Sequence, residues 1–274
     1  FTASETMITS GGQITFTDES TNAPTTWAWE FEGGDPAASS EQNPVVSYNN
    51  SGTYEVKLTV TNSGGSDEEV KTDYITVDMQ SASYTVTFKG NWSATTHMTD
   101  FPSGADHFSA LVGMVHKQGA VIFEEGELAT SGIEDMAELG NNGDLRDEID
   151  ALITSGMALN RIDGGGLGGG TEMTSVTINV TEEFSLVTLV SMIAPSPDWF
   201  VSAENVDLFD NGAFVENITV NGLSYDSGTD SGSTFNSTND DTDPAENIFL
   251  ITDSPLGNGT TVDPPIAIFT FVKN

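Results

Sequence analysis

Apolar and polar residues alternate along the first 80 residues in short segments. The clearest are residues 13–17, 53–61 and 73–77, in which every second residue is apolar or aromatic over most of the segment. Successive side chains of a strand point to opposite faces, so this period of two predicts strands with one buried face. Residues 62–65, Asn-Ser-Gly-Gly, are a hairpin turn signal between two of them. Short strands at close spacing predict a small β-sandwich.

The remaining residues predict a second, larger unit. Residues 80–83 are a short polar joint, and we therefore predict domains at residues 1–79 and 84–274. Two segments, 131–139 and 144–153, have apolar residues three or four positions apart after a Ser or Asp, which predicts two short surface helices. The predicted strands of this unit are 84–88, 108–115, 119–124, 174–180, 184–194, 204–209, 214–220 and 265–272. The chain is therefore expected to be all-β, with two β-sandwich domains.

Charge and composition narrow the function. The 274 residues include 42 acidic and 7 basic ones, a formal net charge of −35, which disfavours nucleic acids and anionic membranes as partners. The absence of cysteine excludes disulfides and thiolate metal sites. No apolar run approaches the roughly 18 residues of a membrane span, so no membrane insertion is expected. The abundance of Gly, Ser, Thr, Asn and Asp is typical of β-rich extracellular proteins.

The sequence does not favour an enzyme. Its three histidines, His97, His107 and His116, are spaced ten and nine residues apart, which matches no zinc-binding helix. No Gly-x-Ser-x-Gly nucleophile motif is present. Acidic pairs suited to glycoside hydrolysis carry little information in a chain with 42 acidic residues. We predict a non-catalytic protein.

Two loops carry the most informative polar residues. Residues 195–200 read Pro-Ser-Pro-Asp-Trp-Phe and include Asp198, and residues 224–232 include Asp226 and Asp230. Carboxylate oxygens from converging loops at one end of a sandwich suit a hard cation, usually Ca²⁺, and no imidazole or thiolate competes. The alternative is that Asp198 and Asp226 are Asx-turn residues that bond to their own backbones.

The first unit resembles the PKD family. The resemblance implies a small immunoglobulin-like sandwich that serves as a spacer or contact module, with Trp29 as a buried core residue. The Asp residues of the family's signature turn are altered here, which argues against a cation at that turn. The matching residues are Trp29-Glu30-Phe31-Glu32-Gly33-Gly34, Asn43-Pro44, Tyr48, Gly52-Thr53-Tyr54, Val56, Leu58, Val60 and Asn62.

The second unit resembles the spondin domain, the N-terminal domain of the F-spondin and mindin proteins of animal extracellular matrix. The resemblance implies a C2-like antiparallel β-sandwich that binds one Ca²⁺ ion at its loop ends. The matches include Gly90-Asn91-Trp92-Ser93, Phe101-Pro102, His107-Phe108-Ser109, Ala129-Thr130-Ser131-Gly132-Ile133, Ala137-Glu138-Leu139-Gly140, Ser185-Leu186-Val187, residues 195–201 and 226–232, Thr234-Phe235 and Pro264-Pro265-Ile266-Ala267.

The family's calcium ligands can be carried over by position. The resemblance places them at Asp198, Asp226 and residue 179, where the family has Glu and this chain has Asn179. An amide oxygen can ligate Ca²⁺, but the exchange removes one negative charge and is expected to weaken the site. Asp230 is either a further ligand or a cap of its own turn.

The two resemblances together favour a bacterial surface protein, secreted or held as an outer-membrane lipoprotein, and we expect a monomer. The leading hypothesis is a Ca²⁺-binding recognition head on a PKD spacer that binds extracellular polysaccharide. Trp199, Phe200 and Tyr225 would then stack on sugar rings, unless they are core residues. The alternative is a Ca²⁺-dependent adhesin for a protein or cell-surface partner, and a purely structural module comes third.

Overall fold

The computed structural model describes all residues from 1 to 274, and they form two compact units, Phe1–Gln80 and Ser81–Asn274. Both units are built mainly of antiparallel strands, which confirms the predicted all-β class with two β-sandwiches. Residues 81–83, predicted to be linker, are instead the first residues of a long strand. Each unit is described by itself below.

The first unit has a four-stranded sheet, in the order β1-β3-β7-β5, and a five-stranded sheet, β2-β9-β8-β4-β6. The predicted hairpin turn joins β8 to β9, where Asn62 pairs with Gly65 and its Oδ1 accepts a hydrogen bond of 2.7 Å from the Gly64 N–H. The strands are β1 (Thr2–Ala3), β2 (Met7–Thr9), β3 (Gly12–Thr17), β4 (Thr26–Phe31), β5 (Gly34–Asp35), β6 (Ala38–Ser39), β7 (Val45–Tyr48), β8 (Gly52–Asn62) and β9 (Gly65–Asp78).

Trp29 lies at the centre of the first core, as predicted. Its ring stacks on Phe31 at 5.7 Å between centroids and lies 5.8 Å from Phe16. Its Nε1 donates a hydrogen bond of 2.9 Å to the Glu41 carbonyl oxygen. Because the indole N–H has a partner, the whole side chain can be buried without an unpaired donor.

The second unit contains thirteen strands and two helices. In chain order they are β10 (Ser81–Gly90), β11 (His107–Phe108), β12 (Val112–His116), α1 (Ser131–Leu139), α2 (Gly143–Thr154), β13 (Ala158–Asp163), β14 (Met173–Thr181), β15 (Leu186–Ala194), β16 (Trp199–Asp207), β17 (Phe209–Asp210), β18 (Ala213–Phe214), β19 (Asn217–Asn221), β20 (Leu223–Asp226), β21 (Phe249–Leu250) and β22 (Ala267–Lys273).

These elements form three layers. A four-stranded sheet, β14-β10-β22-β19, faces a seven-stranded sheet with the order β13-β12-β15-β16-β20-β21, to which β11 adds beside β15. One core, with Phe88, Val201 and Phe269, lies between the two sheets. A second core, with Leu145 and Phe200, lies between the seven-stranded sheet and the helices. The seven-stranded sheet is thus buried on both faces.

Both predicted helices are present, and they contribute buried residues to the second core in addition to lying at the surface. The Thr130 side chain caps α1 by accepting from the Ile133 N–H at 3.2 Å, and Gly140 ends it with φ = 63°. Most apolar residues of the two helices pack into the second core, and Met136 in α1 and Ile149 in α2 are fully buried there. Neither helix is long and apolar enough to cross a bilayer.

Four strand predictions differ from the structure. The segments 108–115 and 214–220, each predicted as one strand, are divided into β11 and β12 and into β18 and β19. Residues 119–124 form a loop, in which Ile122 and Phe123 are buried in the helix-side core without pairing in a sheet. Strand β16 begins at Trp199, five residues before the predicted start at 204. A strand that is buried on both faces reads as a continuous apolar run, so alternation does not mark its true start.

Candidate functional site

The two predicted loops meet at one edge of the seven-stranded sheet. Asp198 is the residue before β16 and Asp226 is the last residue of β20, and these antiparallel neighbours pair Trp199 with Asp226. A backbone hydrogen bond of 3.1 Å from the Ser227 N–H to the Asp198 carbonyl oxygen ties the loops together. The pairing of the strands therefore decides that the two carboxylates lie side by side.

The Asp198 carboxylate is buried and held on one side only. Its Oδ2 accepts hydrogen bonds from the Thr229 N–H at 2.8 Å, the Ser227 hydroxyl at 3.0 Å and the Asp230 N–H at 3.1 Å. Its Oδ1 is buried and has no hydrogen-bond partner. These contacts come from a loop about thirty positions away, so Asp198 is not an Asx-turn residue. One carboxylate oxygen is therefore left without a donor when both carboxylates are charged.

Asp226 is the second buried carboxylate. Its Oδ1 accepts from the Gly228 N–H at 2.9 Å, which is an Asx turn, and its Oδ2 accepts from the Trp199 indole at 2.9 Å. Burial, and next the negative charge of Asp198, raise the pKa of Asp226 to about 7. Burial also raises the pKa of Asp198, against the hydrogen bonds donated by the loop. No Lys or Arg forms an ion pair with either residue.

Asp230 belongs to the same cluster. It is buried, and its charge is among the causes that raise the pKa of Asp198. Its Oδ1 accepts from the Gly232 N–H at 2.7 Å and its Oδ2 from the Asp240 N–H at 3.0 Å, so it caps its own turn. No three acidic or histidine side chains converge closely enough to form a ready ligand set. The cluster is an anionic site with oxygen donors only, a type that suits hard divalent cations.

Sequence reasoning missed Glu138, which reaches this cluster from α1. Burial, and next the negative charges of Glu134, Asp198 and Asp230, raise the pKa of its carboxyl group, against a lowering effect of Thr229. An acidic residue in the last turn of a helix opposes the helix dipole, which favours cations at that end. The sequence feature that could have identified Glu138 is therefore its position near the C-terminal end of a predicted helix, where an acidic side chain does not stabilise the helix.

Asn179 is not part of the cluster, which corrects its prediction as a ligand. It lies on the exposed face of β14, where it pairs with Ser83 of β10 in the four-stranded sheet. Its neighbours Ile178 and Val180 point into the core between the sheets, so the Asn179 side chain points away from that core. The ligand position carried over from the family resemblance thus lies on a different sheet from Asp198 and Asp226.

The predicted aromatic platform is also corrected. Trp199 and Phe200 are consecutive in β16 and point to opposite faces of the sheet, so they cannot form one surface. Trp199, 4 % exposed, packs in the core between the sheets with its ring 5.5 Å from Phe235. Phe200 and Tyr225 are buried on the helix side, stacked at 5.4 Å. All three are core residues.

A cleft of about 390 Å³ opens beside Asp226. Trp199 and Asp226 form part of its lining, together with residues 230–233 and 249–255. Phe249 in β21 pairs with Asp226 and is 44 % exposed, which makes it the large apolar side chain at this cleft that faces solvent. Phe249 was not recognisable as a site residue from the sequence, because it follows a long polar loop and lies in a strand of two residues.

Comparisons with known proteins agree with both units. A family profile described as Spondin_N matches residues 82–259, and one described as PKD domain matches residues 2–77. Rat Spondin-2 is 32 % identical over 203 residues, which cover 70 % of this chain and 62 % of the relative. Human Spondin-2 is 33 % identical over 206 residues, covering 70 % and 61 %. Chicken Spondin-1 is 34 % identical over 191 residues, covering 67 % and 23 %. The chain thus spans less than two thirds of the length of these relatives.

Proposed function

The chain belongs to the Spondin_N family and carries a PKD domain before that unit, and from this premise we propose that it is a non-catalytic extracellular recognition protein. The spondin unit is the binding head, the PKD unit is its spacer, and a Ca²⁺ ion stabilises the loops at the binding end. The observation that carries the proposal is the buried pair Asp198 and Asp226, with one carboxylate oxygen left without a partner.

The donor chemistry supports calcium as the ion. Two buried carboxylates repel each other, and a protein rarely keeps such a pair without a proton or a cation between them. Asp198 would contribute its free Oδ1, and Asp226 would contribute its carboxylate. Ca²⁺ accepts irregular sets of carboxylate, carbonyl and water oxygens, so it tolerates a site with few acidic ligands better than Mg²⁺ does.

The ion would hold the binding end in one shape. Asp198 already binds residues 227, 229 and 230, and Asp226 already binds Gly228 and Trp199. A cation shared by the two carboxylates would join the loop before β16 to the loop after β20. Residues of the second loop line the cleft, and partner binding would therefore depend on calcium.

A protein or cell-surface partner is the ligand class that the site supports best. The aromatic side chains expected to stack on sugars, Trp199, Phe200 and Tyr225, are packed in the two cores. Polysaccharide remains a second candidate because Phe249 is exposed at the cleft beside hydroxyl-bearing residues such as Ser231, Thr242 and Thr252. Exposed rings and hydroxyl groups are typical of sugar-binding sites.

Calcium is expected to raise the melting temperature of the purified protein. With free Ca²⁺ at a hundred times its dissociation constant, mass action stabilises the folded state by about 2.7 kcal/mol, or about 5–10 °C for a domain of this size. Differential scanning calorimetry in chelator, CaCl₂ and MgCl₂ measures the shift. Asp147→Asn, which removes an exposed carboxylate outside the cluster, should keep the response. An unchanged melting temperature up to millimolar CaCl₂ would refute the ion.

The ligand class needs its own measurement. Attachment of the protein to cells or extracellular matrix should be lost in chelator and restored by CaCl₂. Native gels that contain soluble polysaccharides should leave its mobility unchanged. A mobility shift in one glycan, lost in Phe249→Ala, would replace the protein partner by polysaccharide as the function.

A further inference from the structure

The cleft beside Asp226 has acidic residues and no basic residue in its lining. Asp226, Asp230, Glu246 and Asp253 are among the lining residues, and no Lys or Arg is. Even with a divalent cation bound at Asp198 and Asp226, Glu246 and Asp253 would leave the mouth negative. The lining therefore disfavours anionic ligands and favours a cationic one.

Two of these carboxylates are free to bind a ligand. Glu246 and Asp253 are exposed, and neither side chain forms a salt bridge or a hydrogen bond within the protein. Some other acidic residues are paired within the domain, as Asp163 is by Arg146 and Arg161. The cleft thus keeps two carboxylates whose hydrogen-bonding capacity no residue of this chain uses.

The apolar residues of the cleft indicate which kind of cationic side chain fits it. The ring of Phe249 is 44 % exposed, and the buried Ile251 and Pro255 also line the cleft. An arginine guanidinium can stack on an aromatic face while it donates paired hydrogen bonds to a carboxylate. Lysine has neither the planar group nor the paired donors, and it is more strongly hydrated.

We propose that this cleft binds an arginine side chain of a protein partner, with its guanidinium against Phe249 and the carboxylates of Glu246 and Asp253. The inference rests on the proposed recognition function and names the ligand chemistry of that site. The cleft volume of about 390 Å³ suits one long side chain and an apolar neighbour. The negative charge of the chain, −35 overall, would attract a basic segment before contact.

The test is a titration of the calcium-loaded protein with the peptide acetyl-Gly-Leu-Arg-Leu-Gly-amide, followed by NMR. The Trp199 indole N–H, which donates to Asp226 beside the cleft, provides a local signal. The matched probe replaces arginine by citrulline, which keeps the shape and removes the charge. A charge-assisted hydrogen bond accounts for about tenfold or more in affinity, and citrulline should bind weaker by that factor.

Variants assign the contact to named residues. Glu246→Gln combined with Asp253→Asn, and separately Phe249→Ala, should each weaken the arginine peptide about tenfold. All three positions are exposed, so the variants are expected to fold, and their melting temperatures check this. Glu5→Gln combined with Asp147→Asn removes the same amount of charge from exposed residues that do not line the cleft, and binding should stay unchanged.

Other outcomes overturn the inference in distinguishable ways. Equal binding of the arginine and citrulline peptides, or binding unaffected by the double variant, rules out the arginine site while the calcium response and calcium-dependent attachment still stand. A shift of the Trp199 signal by laminarihexaose, and not by the peptide, makes the cleft a sugar site. If calcium does not change the melting temperature, the proposed calcium-dependent function is refuted, and the inference that rests on it is refuted too.

Discussion

Asp198→Asn is expected to raise the melting temperature of the calcium-free protein and to abolish its response to calcium. Asp198 and Asp226 are both buried and have no cationic side chain beside them. The asparagine oxygen can replace Oδ2 and keep the hydrogen bonds from residues 227, 229 and 230. The amide nitrogen replaces the unpartnered Oδ1 and removes one of two repelling charges.

The expected gain is about 1–3 kcal/mol without calcium, the usual cost of leaving a buried polar group unsatisfied. Calorimetry in chelator measures it. Asp198→Ala is the matched control, because it removes the same charge but leaves the Thr229 and Asp230 N–H groups without an acceptor. The alanine variant should be less stable than the wild type. If the asparagine variant is destabilised to the same extent, repulsion between the carboxylates is not the dominant effect.

The same pair predicts how calcium-free stability depends on pH. The pKa of Asp226 is raised to about 7 in the folded protein from an ordinary value of 3.8. The folded state therefore holds this proton more tightly, and the stability it contributes below pH 4 is lost as the pH rises through about 7. The slope should be smaller in Asp198→Asn, since the charge of Asp198 is one of its causes. Equal slopes in the two proteins would contradict this assignment.

Phe200→Ala is expected to destabilise the spondin unit by about 3–5 kcal/mol, the usual cost of removing a buried aromatic ring. Phe200 is completely buried, with Phe123 edge-on at 5.0 Å and Tyr225 stacked at 5.4 Å. The ring fills the space between the seven-stranded sheet and the helices, so its removal leaves a cavity in this core. Urea unfolding, followed by circular dichroism, measures the loss.

Phe249→Ala is the natural comparison, because it removes the same ring from an exposed position. It should change stability by less than about 1 kcal/mol and affect only binding at the cleft. The two variants separate a core residue from a ligand-contact residue at the same end of the domain. A large loss of stability in Phe249→Ala, or a small one in Phe200→Ala, would contradict the assignment of Phe200 as a core residue and Phe249 as an exposed one.

Several features of this chain could be predicted from local sequence alone. Alternation in residues 53–61 and the Asn-Ser-Gly-Gly turn at 62–65 predicted the long hairpin of the first unit, because strand period and turn geometry depend on neighbouring residues. The two helices followed from apolar residues three or four positions apart after a Ser or Asp. The acidic loops were recognisable because Asp198 and Asp226 lie next to turn-forming residues.

Which residues meet at the site depends on the pairing of strands that are far apart in the sequence. The sequence determined that carboxylates occupy two loops, that no cysteine or cluster of histidines competes for a metal, and that the chain is strongly acidic. Only the tertiary structure decided that β16 pairs with β20, which places Asp198 beside Asp226, while Asn179 lies on another sheet. It also decided that Phe200 is buried and Phe249 exposed, because a sheet covered on both faces hides residues that alternation alone would place in solvent.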